Sequence, residues 1–69
     1  MYIKMIGLYG IPDQTAWFRL IGDGCFDFVS HKEYASDLNE EEVNKVMTHK
    51  DWYCKAYYAE MMFIEHSLH

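Results

Sequence analysis

Basic residues are scarce in this sequence: six Lys and Arg stand against eleven Asp and Glu, for a formal net charge of −5. A chain of that sign repels phosphate and lacks the electrostatic footprint that direct binding of DNA or RNA requires. Proline occurs once and glycine four times, so no Pro- or Gly-rich linker divides the chain, and it carries no internal repeat or low-complexity tract. Long apolar runs are missing as well. The longest stretch without a charge, Met5 to Pro12, is far too short to cross a bilayer, and Tyr2 to Tyr9 alternates and includes Lys4, unlike a secretion signal. The expectation is a cytoplasmic protein with no membrane association. Cysteine is limited to Cys25 and Cys54, read as two reduced thiols in a cytosolic chain, with one disulfide as the open alternative.

The spacings that support chemistry are equally lacking. His31, His49, His66 and His69 together with the two cysteines could in number furnish a zinc site, but no C-x-x-C, H-x-x-x-H or H-E-x-x-H pattern brings them together. A nucleophilic thiol needs a histidine or a cation beside it, and nothing in the order of residues places one next to Cys25 or Cys54. Gly7 and Gly10 form no phosphate-binding fingerprint. The only carboxylate cluster, Glu40 to Glu42, is accounted for by the start of a helix. Neither a catalytic site nor a cofactor nor a metal is expected, and the chain is read as non-enzymatic.

What is present is apolar and aromatic. Apolar residues make up 51% of the 69 positions and aromatic rings 17%, far from the composition of a disordered chain. Residues 1–69 form one domain, since a chain this short builds a single core that contributes roughly 3–5 kcal/mol. Tyr2 to Tyr9 reads as a first strand ended by Gly10-Ile-Pro-Asp13. Ala16–Ile21 and Cys25–Val29 flank Gly22-Asp23-Gly24, the pattern of a hairpin. Alternation sets Phe18 and Leu20 on one face opposite Phe26 and Phe28, with Arg19 and Asp27 on the other, and Trp17 shares the parity of Arg19.

Leu38 to Val43 carries three agreeing helix-start signals. Asn39 can accept a bond from the Glu42 amide, Glu42 can reach back, and Leu38 can staple against Val43. Val43, Val46 and Met47 continue an apolar stripe, so a helix is expected over 40–49. Trp52 to His66 supports two readings. As a strand, it shows Tyr57, Ala59, Met61 and Phe63 on one side and Tyr58, Glu60, Met62 and Ile64 on the other. As a helix, it aligns Trp52, Ala56, Ala59 and Phe63, with good helix formers among them. We take the strand, because it completes a compact α+β domain: an antiparallel β-β-β-α-β sheet with one helix on one face. The alternative is a three-stranded sheet with two helices.

Rings and thioethers outnumber what so small an interior can hold. Trp17, Tyr58 and Met62 fall on the parity opposite the core, with Glu60 between the last two. Such side chains anchor protein interfaces. Together with the acidic Glu40 and Glu41 at the helix start, they are the candidate protein-binding residues. The partner expected from the net charge is a basic protein, such as one that binds nucleic acid. The alternative is self-association, two copies burying the Tyr58, Met62 and Ile64 face as a homodimer. The Met-Tyr-Ile-Lys start, the turn-rich hairpin and the capped Leu38–Met47 helix before a Tyr-rich ending resemble the small acidic proteins of tailed phages and prophages, anti-CRISPR and other host-takeover proteins among them. The resemblance implies an inhibitor that occupies the surface of a bacterial host protein in the host cytoplasm. It implies no particular fold and assigns no residue a role.

Overall fold

The computed structural model of the protein describes residues 1–64. Four strands, β1 (Tyr2–Ile6), β2 (Thr15–Gly22), β3 (Cys25–Val29) and β4 (Glu60–Ile64), form one antiparallel sheet in the order β3-β2-β1-β4. Two helices, α1 (Glu40–Thr48) and α2 (Lys50–Ala56), connect β3 to β4. The α+β single domain with a four-stranded antiparallel sheet therefore stands as expected, with one correction: the segment after α1 is divided, helical at first and a strand at its end.

The hairpin follows its alternation closely. Phe18 pairs with Phe28, Leu20 with Phe26 and Arg19 with Asp27, and a register irregularity falls between Leu20 and Gly22. Gly24 turns the chain at φ 71°, a left-handed conformation that glycine adopts without a Cβ penalty. β1 ends at Ile6, sooner than the expected strand, because Gly7 turns left-handed and a 3-10 turn, Leu8–Gly10, drops Leu8 into the core.

The α1 start has the expected form. The Asn39 side chain accepts from the Glu42 amide at 2.9 Å, and the Glu42 carboxylate accepts from the Asn39 amide at 3.0 Å. Leu38 and Val43 are both buried. The connection from β3 to α1 is itself tied to the sheet, since the Leu20 amide donates to Ser36 Oγ at 2.8 Å and the Ser36 amide donates to the Phe18 carbonyl. The helix breaks at His49, whose φ and ψ of −109° and 15° leave the helical region, and α2 begins at the next residue.

α2 escaped the strand reading because its stop signal is disguised. Helices commonly close with a glycine in the left-handed conformation, followed by an amide that bonds five residues back. Here the Ala59 amide donates to the Cys54 carbonyl at 3.0 Å, but the left-handed position, at φ 51°, is occupied by Tyr58. The face turned inward is that of Tyr53 and Tyr57, while Trp52 remains 56% exposed. Within 60–64 the expected parity holds. Met61 and Phe63 pack on the core, and Glu60, Met62 and Ile64 point the other way, opposite Ile6, Lys4 and Tyr2.

Both helices cover the same side of the sheet. Ile3, Met5, Ala16 and Phe18 meet Val43 and Val46 there in one buried cluster. Phe26 and Phe28 add a ring network, stacking on Phe18 at 5.4 Å and meeting Tyr57 edge-on at 5.0 Å respectively. Burial raises the Tyr53 phenol above its ordinary pKa, with the neighbouring Tyr57 hydroxyl adding to the effect. None of the described helices is long and apolar enough to cross a membrane.

Candidate docking surface

A sheet covered on one face presents its other face to solvent, and here that face is rich in rings. Register aligns Val29 of β3, Trp17 of β2, Lys4 of β1 and Met62 of β4 in one row across all four strands. The Tyr2 ring meets Trp17 edge to face, with centroids 6.5 Å apart. Two ammonium groups lie against this pair. Lys4 Nζ is 5.5 Å from the Trp17 centroid, and Lys32 Nζ is 4.8 Å from Tyr2 and 5.9 Å from Trp17. Ring faces are the negative pole of the aromatic quadrupole, so they hold the cations without neutralising them.

Beside this corner, Arg19 and Asp27 neutralise each other across the hairpin. Arg19 Nε donates to Asp27 Oδ1 at 2.8 Å, and Nη2 donates to Oδ2. The bidentate bond holds the Asp27 carboxyl below its usual pKa and raises the Arg19 guanidinium further. The remaining carboxylate of the face, Glu60, is exposed at its far end opposite Ile6.

That far end opens into a hollow of about 370 Å³ lined by Ile6, Pro12, Tyr58 and Glu60, among others. Tyr58 is 74% exposed, and Tyr9, also left-handed at φ 60°, is 60% exposed. The two turns are tied together by the Tyr9 amide, which donates to the Tyr57 carbonyl at 2.7 Å. A non-glycine residue in the left-handed region costs of order 1 kcal/mol. The fold thus spends stability on two turns that hold tyrosines out to solvent.

The residues singled out in the sequence distribute as follows. Trp17, Met62 and Glu60 share the open face, Trp17 half-buried and Met62 49% exposed. Tyr58 is corrected from a strand position to the turn before β4, because the helix ending at Ala56 needs a left-handed residue to reverse the chain; through the hollow it still adjoins the open face. Glu40 and Glu41 stand apart in the first turn of α1, on the helix-covered side, with Glu41 Oε1 4.0 Å from Lys45 Nζ. Sequence reasoning missed Tyr2, Lys4 and Lys32. Alternation in β1 carried a signal for the first two, since Ile3 and Met5 on the core side force Tyr2 and Lys4 outward. No periodicity could have brought Lys32 over the rings, because it stands in a 3-10 turn, Lys32–Tyr34, after β3.

Cys25 is exposed on β3, Cys54 is half-buried in α2, and both are free thiols. Among the described residues no group of three or more His, Cys, Asp and Glu could hold a metal. His31 and His49 are exposed, and His66 and His69 lie outside the described residues. A cleft of about 400 Å³ between the hairpin turn and α1 includes Glu42, whose carboxylate is already engaged in the helix cap. Compared with family models, with curated proteins and with solved structures, the chain matches none.

Proposed function

We propose that this protein acts by docking on another protein through the open face of its sheet, without chemistry of its own, in the manner of the phage-encoded inhibitors its sequence resembles. The observation that carries the reading is the one-sided cover. Both helices pack on the face of Ile3, Met5 and Phe18, while on the opposite side Met62 and Tyr58 are exposed and Trp17 is half-buried. Rings and thioethers so displayed are the usual anchors of an interface.

A photo-crosslinking residue in place of Met62 tests it in a bacterial lysate, against the same residue in place of Asn44 on the exposed side of α1. We expect discrete protein adducts from position 62 that disappear when Trp17→Ala is added. Adducts common to both positions, or none from position 62, reject the reading.

A second reading, self-association, is favoured by one observation: β4 is an edge strand, with Met62 exposed beside the edge. Sedimentation over a wide concentration range decides it, since a homodimer built on this edge must dissociate on dilution and be weakened by Met62→Lys.

A further inference from the structure

We infer that the segment this face receives is acidic: a peptide of a partner protein whose carboxylates meet Lys4 and Lys32 while its apolar side chains rest on Trp17 and Met62. The inference rests on the docking reading above and names the partner's chemistry. It runs against the net charge of −5, which by itself points to a basic partner. What matters to a docked segment is the charge of the face it touches, because at physiological salt screening confines a charge to within about 8 Å.

The local balance on the open face is cationic. Arg19 and Asp27 cancel, and Glu60 lies at the opposite end beside Ile6. Lys4 and Lys32 are left with aromatic faces as their described contacts, within 6 Å of the Trp17 centroid. Two like charges gathered round one ring repel each other, and an anion entering between them relieves that repulsion while gaining two charge-assisted bonds. Of the other acids, Glu40 to Glu42 and Asp51 stand on the helices, Asp37 is paired with the amino terminus of Met1, and Glu33 follows Lys32 in its 3-10 turn.

A carboxylate fits better than a phosphate chain. Two lysines set against the overall charge cannot compensate the repulsion of a polyanion, whereas one or two carboxylates in an apolar peptide feel chiefly the local field. The row Trp17–Lys4–Met62 also has the form such a peptide needs, an apolar contact on each side of one cation.

The test is selection from a library of short random peptides against the full chain, followed by titration of the enriched peptides. We expect enrichment of Asp and Glu next to aromatic or aliphatic residues. Lys4→Gln with Lys32→Gln should weaken those peptides about tenfold, while Lys45→Gln on α1 leaves them unchanged. Circular dichroism reports whether the double variant is folded. Should it not fold, the charge reversal Lys4→Glu with Lys32→Glu must shift selection to basic peptides.

Enriched peptides that are neutral or basic yet lost on Trp17→Ala overturn the acidic occupant and leave the docking face intact. Acidic peptides indifferent to the double variant overturn it as well. So does a short oligothymidylate that binds through Lys4 and Lys32 where no peptide does. Absence of any enrichment overturns it, and joined to absence of crosslinks from position 62 it removes the docking reading too.

Discussion

Phe18 and Trp17 are consecutive residues of β2, one turned inward and the other outward. Phe18 has no exposed surface and touches the rings of Phe26, Phe28 and Tyr53, while Trp17 lies half-buried beside two lysines. Strand, backbone and aromatic character are shared. The difference is that α1 and α2 lie over one face, whereas the other meets the Lys32 side chain from the turn after β3 and carries no helix among the described residues. A ring in a strand is therefore core or surface according to what covers it, and alternation reports only that two adjacent rings will differ.

Breaking this contrast at its strongest point gives the largest effect. Phe18→Ala removes a buried ring and leaves a cavity that the surrounding rings cannot fill, a loss of about 3–5 kcal/mol. That matches the whole stability expected of so small a domain, so the variant should be unfolded at room temperature by far-ultraviolet circular dichroism. Trp17→Ala should cost about 1 kcal/mol, chiefly its contacts with Tyr2 and the lysines, and leave a cooperative urea transition. A Trp17→Ala chain as unfolded as Phe18→Ala would mean that the outer face is structural.

Tyr58→Gly sharpens the comparison from the other side. The ring is largely exposed and its backbone is left-handed, so glycine relieves strain while removing little packing. Stability should hold or rise by up to about 1 kcal/mol, even as crosslinking from position 62 falls. A drop in the urea midpoint would show that Tyr58 holds its turn together and is not spent on a partner.

The smallest effect is expected from pH. Asp27 has a folded-state pKa below its unfolded one because Arg19 bonds the charged form. Its contribution to stability is complete above the unfolded value of about 3.9 and is lost as pH falls through the lower folded value. The urea midpoint should therefore decline below about pH 4, and Asp27→Asn should remove part of that decline. Both groups are near solvent, so the change is slight, and an unaltered acid limb in the variant would mean that the pair adds nothing to the fold.

Much of the architecture was legible where signals are local. The cap of α1 needs only Asn39, Glu42 and their backbone amides, which are neighbours in the chain. The hairpin needs a turn and two alternating runs. The α2 helix was legible only as one of two readings of Trp52 to His66, because the residue closing it is a tyrosine where a glycine would announce the end. Its short inward face, Tyr53 and Tyr57, also differs by a quarter turn or so from the Trp52–Ala56 alignment that the helical reading favoured. Of the candidate site, Trp17, Met62 and Glu60 were placed by parity alone. Glu40 and Glu41 were grouped with them on charge, which carries no information about which side of a sheet a helix will occupy.

The residue order by itself determined an α+β domain, the hairpin register, the capped start of α1 and the division of each strand into two faces, since these rest on contacts a few residues apart or on the period of two. Only the tertiary structure decided which face is covered, that α2 intervenes before β4, and that Lys4 and Lys32 meet over Trp17. Those outcomes rest on contacts between segments far apart in the chain, where one helix more or less turns an exposed ring into a buried one.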